Sequence, residues 1–160
     1  GNKGRIILKM NSIEDKKMIA ELYRASEAGV EIDLIIRGIC CLVPNQPYSK
    51  NIKITRIVDS FLEHSRIWYF YNNGDPTYHL TSADWMGRNL RRRIETAFPI
   101  YCVKHQQQII DILNIQLSDN VKACTIDEHL NNIYKTNDQP KVRAQRATYD
   151  YLKEATEVKE

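Results

Sequence analysis

The chain contains no apolar run approaching membrane-spanning length, and its first residues, GNKGRIILKMN, lack a signal-peptide pattern, so neither a helical span nor a secretory leader is expected in it. Its four cysteines, Cys40, Cys41, Cys102 and Cys124, include no C-x-x-C pair and no regular framework. That argues against a zinc site or a disulfide scaffold and for a reducing, cytoplasmic compartment. His79, His105 and His129 form no H-x-x-x-H or H-x-H pair, so metal ligation by histidine is not expected. Internal repeats and low-complexity tracts are absent. Charge of one sign is scarce as well: 23 Lys and Arg stand against 20 Asp and Glu, a formal net charge of +3. Such an excess does not make a nucleic-acid binder, which needs a clustered basic face.

What is present fits an ordinary globular protein, with 42% hydrophobic and 27% charged residues among 160. That length supports one domain with a proper core. The expected division is an α/β unit over residues 1–102 and a helical segment over 103–160 packed on the same domain. The opening in a strand without a starting Met suggests a piece of something longer.

Ile6, Ile7 and Leu8 make the continuous apolar run of a buried strand. Ser12 with Asp15 has the shape of a capping box, followed by Met18, Ile19, Leu22 and Ala25 at helical spacing and by Gly29 as a terminator. Glu31 to Ile36 repeats the buried-strand pattern, so the first third reads as a right-handed βαβ unit with parallel strands. Ligands of open α/β sheets bind beyond the carboxyl ends of such strands. There stand Lys9, Asn11 and Ser12 after the first strand, and Arg37 and Gly38 after the second. Arg37 reads either as a phosphate ligand or as a surface arginine paired with a carboxylate.

Asn51 to Phe61 is ambiguous, with a short strand at Ile52 to Ile54 and then a helical turn through Ile57, Val58, Phe61 and Leu62. Ile67 to Tyr71 is aromatic or branched throughout and ends in Asn72, Asn73, Gly74, Asp75 and Pro76, a strand turning into a second one at Thr77 to Thr81. If the extended backbone reaches back to His64, side-chain alternation puts His64 and Arg66 on one face. An imidazole suited to proton or phosphoryl transfer would then stand beside a fixed cation. A satisfied surface or core histidine is the competing reading.

Arg88, Arg91, Arg92 and Arg93 crowd into six positions, either a solvated face or an anion site. Arg93 to Ile100 reads as another strand. Helices are expected at Val103 to Leu113, Ile126 to Tyr134 and Lys141 to Ala155.

Five blocks, KMNS (9–12), LYRASEAGVEIDLIIRGICCL (22–42), KNI (50–52), FLEHSRI (61–67) and SADWMGRNLRRRIE (82–95), closely resemble the C-terminal domain of bacterial polyphosphate kinase. The loop between Cys41 and Asn51 is a residue shorter than the usual pattern. The resemblance implies a phospholipase D-like mixed sheet flanked by helices, with a helical C-terminal tail. It implies a partner domain upstream in the same polypeptide, with ATP and polyphosphate bound between the two. The family moves the terminal phosphoryl group of ATP to polyphosphate, reversibly, through a phosphohistidine in that upstream domain. By motif, Arg37 and His64 are similar to residues contacting nucleotide phosphates, and Arg93 and Arg66 to further anion contacts. Magnesium is implied with the nucleotide, although Asp84 and Glu95 read as structural. A homo-oligomeric full enzyme, with possible peripheral membrane association and no nucleic-acid partner, is implied too. Two other classes remain open: a phospholipase D-type phosphodiesterase half, against which Arg66 stands where H-x-K requires Lys, and a non-catalytic module binding polyphosphate or nucleotide.

Overall fold

The computed structural model describes residues 4–157; residues 1–3 and 158–160, the outer ends of the two expected segments, lie outside the described residues. Two parallel strands, β1 (Arg5–Met10) and β2 (Glu31–Ile36), form the centre and pair from Arg5↔Glu31 to Met10↔Ile36. Helix α1 (Lys16–Glu27) connects them, as the βαβ pattern predicts. Strands β3 (Ile52–Ile57), β4 (Ile67–Phe70), β5 (Thr77–Thr81), β6 (Ala97–Pro99), β7 (Ala123–Ile126) and β8 (Asn132–Tyr134) complete one mixed sheet. Its order is β6-β5-β4-β1-β2-β3-β7-β8. β2 and β3 pair in parallel, whereas every neighbour outside the β1-β2-β3 core is antiparallel.

Alternation along the central strands explains why helices cover both faces. Leu8, Leu34 and Ile54 turn to one side, where Ile19 and Leu22 of α1 and Trp85 close a core cluster. Ile7, Ile35, Tyr69 and Tyr78 turn to the other, against Ile109 and Leu113 of α3 (Val103–Ser118). Each fully buried Leu or Ile contributes about 1.5–3 kcal/mol by removal from water. Helix α4 (Ala144–Glu157) packs on α3, and the Tyr151 hydroxyl donates to Asp111 Oδ2 at 2.8 Å. Gly29, at φ 91°, follows the end of α1 in a left-handed conformation that suits glycine.

Four local expectations are corrected. Asp15, not Ser12, caps α1: its Oδ1 accepts from the Lys17 and Met18 N–H groups. Ser12 is drawn off by Ile39, whose N–H donates to Ser12 Oγ at 3.2 Å. No helical turn follows Ile54: β3 runs on to Ile57, because Arg56 and Ile57 pair with Cys124 and Ala123 of β7, and Val58, Phe61 and Leu62 remain exposed on an irregular segment. The expected helix from Ile126 to Tyr134 is a hairpin of β7 and β8, whose turn is held by Asp127 Oδ1 accepting from the His129 and Asn131 N–H groups. The free edge of β3 offers a ladder there that a local pattern does not announce. Residues 93–100 form only the short β6, preceded by α2 (Gly87–Arg92) and four residues that lead the chain back to the sheet.

Candidate active site

The strand directions gather the site. β1 and β2 end on one edge of the sheet; antiparallel β4 begins there, β5 ends there and β6 begins there. Asn11, Arg37, the His64–Arg66 segment, Asp84 and the Arg93–Glu95 stretch therefore share one rim. Gly38 lets the first two loops meet: its N–H donates to the Asn11 carbonyl at 2.7 Å, and a Cβ there would come within 3.0 Å of that oxygen and of Ser12 Oγ.

Asp84, 4% exposed, is the hub. Its Oδ1 accepts from the Asn11 N–H at 2.7 Å and from Arg66 Nε at 2.9 Å, and its Oδ2 accepts from Arg66 Nη2 at 3.2 Å. The Asn11 side-chain amide also donates to this carboxylate and presents its own oxygen to Arg37, accepting from Nη2 at 2.7 Å and Nε at 3.2 Å. Burial alone would raise the Asp84 carboxyl, but the Arg66 and Asn11 hydrogen bonds and the Arg66 charge outweigh it and hold it below the usual carboxylate range.

β4 begins at Ile67 and does not reach His64, although the Arg66 carbonyl accepts from the Thr81 N–H and extends the ladder by one bond. His64 nevertheless stands beside Arg66, with Nε2 3.3 Å from Nη2, and its imidazole is exposed at the rim. Below lies Lys9, 5% exposed, donating to Ser65 Oγ at 2.9 Å and to the Ser65 carbonyl at 3.1 Å, and pairing with Glu63 Oε2 at 3.4 Å. Burial lowers the Lys9 ammonium; Glu63 partly restores it, while the Arg37 and Arg66 charges push the same way as burial.

The structure thus joins Arg37, Arg66 and His64 through Asn11 and Asp84. Arg93 shares the edge but stands apart: among the described residues no hydrogen bond or ion pair joins it to the other three, and it lines a separate depression of about 260 Å³ with Trp68, Asn89 and Glu95. Its charge and that of Arg66 both act on Glu95. Arg37 makes no ion pair among the described residues, so its charge is held by a neutral amide and is not cancelled. Sequence reasoning missed Asp84 as the organiser of the rim and Glu63 as the partner of Lys9. Applying the strand-end rule to β5 as well as to β1 and β2 points to Asp84.

The fold is phospholipase D-like. The chain superimposes on Nuc, a phospholipase D family member from Salmonella typhimurium, with a TM-score of 0.60 at 14% identity, over 79% of this chain and 84% of that one. More specifically, it belongs to the polyphosphate kinase family: the model of "Polyphosphate kinase C-terminal domain 2" matches residues 1–145. It is similar to the polyphosphate kinases of Yersinia pestis, at 50% identity over 96% of the chain and 23% of that protein, and of Vibrio vulnificus, at 49% over 96% and 22%. The crystal structure of polyphosphate kinase from Porphyromonas gingivalis matches with a TM-score of 0.97 and 60% identity, over 99% of this chain and 24% of that one. The chain therefore spans about a quarter of the length of these relatives.

Proposed function

We propose that this chain supplies one wall of the phosphoryl-transfer cleft of an ATP:polyphosphate phosphotransferase. The opposite wall and the phosphorylated histidine come from upstream domains of a longer polypeptide. Phosphoryl transfer passes through a loose transition state whose charge spreads over the equatorial oxygens, so catalysis is mainly positioning and electrostatic stabilisation. Arg37 binds ATP or polyphosphate oxygens with the guanidinium face that Asn11 leaves free. Arg93 makes a more peripheral anion contact. Arg66, committed to Asp84, lends its positive field and orients His64, which donates a proton or a hydrogen bond to the phosphate being transferred.

The observation that carries this reading is the uncancelled charge of Arg37, held by Asn11 beside a rim that already contains Lys9, Arg66 and His64. Exposed apolar side chains next to the rim support a covering domain. Phe61 is 76% and Leu62 73% exposed just before His64, and Ile94 is fully exposed just after Arg93. The family membership supports the substrates. A phosphodiesterase of the phospholipase D type is less well served, because the side chain in the Lys place, Arg66, is tied to a buried carboxylate.

Magnesium does not fit this wall. Asp84 is taken by Arg66 and Asn11, Glu63 by Lys9 and Gln116, and Glu95 by Ser82 and Asn89; among the described residues no group of three acidic, His or Cys side chains could hold a metal ion.

The test is His64→Ala in the full-length enzyme. Loss of a general acid or of a hydrogen bond to the transition state lowers turnover by about 10²- to 10⁴-fold. A change in kcat of less than about threefold contradicts the role.

A further inference from the structure

His64 belongs to a segment that no regular element holds. Residues 58–66 lie between β3 and β4 without a helix or a ladder of their own, so something else must fix the imidazole. Near His64 the segment is moored to the sheet and to α3: Lys9 reaches Ser65 and Glu63, and Gln116 Nε2 donates to Glu63 Oε2 at 2.8 Å. Its earlier half is moored to the start of the C-terminal helix and to the residue just before it, about eighty residues downstream in sequence. Arg143 Nε donates to Asp59 Oδ2 at 2.8 Å, and its Nη2 donates to Asp59 Oδ1 at 2.6 Å and to Ser60 Oγ at 2.8 Å. Gln145 clasps the Phe61 peptide from both sides, accepting from its N–H at 3.0 Å and donating to its carbonyl at 2.8 Å.

We infer that Arg143 and Gln145 are positioning residues for His64, forming a clasp by which the C-terminal helix holds the catalytic segment in place. The inference rests on the role of His64 proposed above. Two features favour positioning over simple stabilisation. A bidentate fork and a two-sided amide clasp are highly directional, and of the ion pair only Asp59 is shielded from water, its side chain being 2% exposed against 44% for Arg143. The helix is also docked independently. The Ala144 N–H donates to buried Asp119 Oδ2 at 2.7 Å, and Tyr151 is bonded to Asp111, so α4 stays seated when the two clasp side chains are removed. What changes is the freedom of residues 59–61 and, through them, of the imidazole. A misplacement of about 1 Å at a reacting group can cost about a hundredfold in rate.

The experiment uses the full-length enzyme and combines Arg143→Ala with Gln145→Ala. Expected, at a temperature where the variant is fully folded, are a kcat about ten- to a hundredfold lower and an ATP KM within about twofold of the parent, alongside a lowered melting temperature, because Asp59 loses its partner. Arg143→Lys, keeping the charge without the fork, recovers part of the loss. In an His64→Ala background the clasp substitutions have no further effect on kcat, since residues acting through one group are not additive. If His64→Ala is impaired but the clasp variant turns over within about threefold of the parent, or if the two losses multiply, the inference is overturned while the role of His64 stands. If His64→Ala itself is unimpaired, the functional reading falls and takes the clasp with it.

Discussion

Replacing Asp84 with Ala tests the rim without touching a group assigned to substrate. The Arg66 and Asp84 side chains are 11% and 5% exposed, so the variant strands a nearly buried guanidinium. It also removes the acceptor of the Asn11 N–H, at 2.7 Å, and of the Ser12 N–H, at 3.3 Å. Breaking a buried ion pair from one side costs about 3–5 kcal/mol, and an unsatisfied buried donor about 1–3 kcal/mol. These losses overlap, and about 4 kcal/mol is expected for the single variant. Urea unfolding of the chain, followed through Trp85 packed edge-on against Trp68 at 6.0 Å, measures it. The double variant Asp84→Ala, Arg66→Ala should lose less than the sum of its single variants, by about 2 kcal/mol, because no charge is then left buried without a partner. The Asp84 carboxyl is held below its ordinary value in the fold. Its contribution is therefore full above the usual carboxylate range and disappears as pH falls through the lowered value, and the variant should lose that part of the acid dependence. A single-variant loss below about 1 kcal/mol, or strict additivity in the double variant, would refute the account of Asp84 as a charged hub.

Asp119, after α3, poses a parallel test. It is fully buried, its Oδ1 accepts from the Val121, Lys122 and Ala123 N–H groups, and its Oδ2 accepts from Ala144, so Asp119→Ala should cost about 3 kcal/mol and loosen α4, seen as faster proteolysis within residues 144–157. The clasp carboxyl of Asp59 is held down to about 2 by the Arg143 hydrogen bonds, against the opposing effect of burial. Its pairing should be complete above the ordinary carboxylate value of 3.8 and lost only as pH falls through about 2, so an NMR titration of Asp59 should be flat through the neutral range and shift to the normal value in Arg143→Ala.

The elements whose own residues decide their form were readable directly. Buried runs at Ile6–Leu8 and Ile32–Ile36, the stripe on α1 and the aromatic hairpin from Ile67 to Thr81 stand where their periodicity predicts. Elements formed by what lies alongside were misread. Residues 126–134 became β7 and β8 because the edge of β3 was available for pairing, and residues 58–62 stayed irregular because Asp59 and Phe61 found partners in Arg143, just before α4, and Gln145, on it, rather than in a helix of their own. Ser12 lost the capping role to Asp15 because Ile39, brought up by the parallel pairing of β1 and β2, competed for its hydroxyl.

The order of residues by itself determined that Arg37 ends a buried strand and that His64 and Arg66 lead into another, since apolar runs and turn residues act within a few positions along the chain. It also carried the blocks that identify the family. Only the tertiary structure decided that Asn11 and Asp84 couple Arg37 to Arg66 and His64, that Arg93 stands off beside Glu95, and that a helix near the end of the chain holds the His64 segment. The physical reason is range: hydrogen bonds and ion pairs act over a few ångströms in space, and only the pairing of antiparallel and parallel strands at one edge brings such distant residues within it.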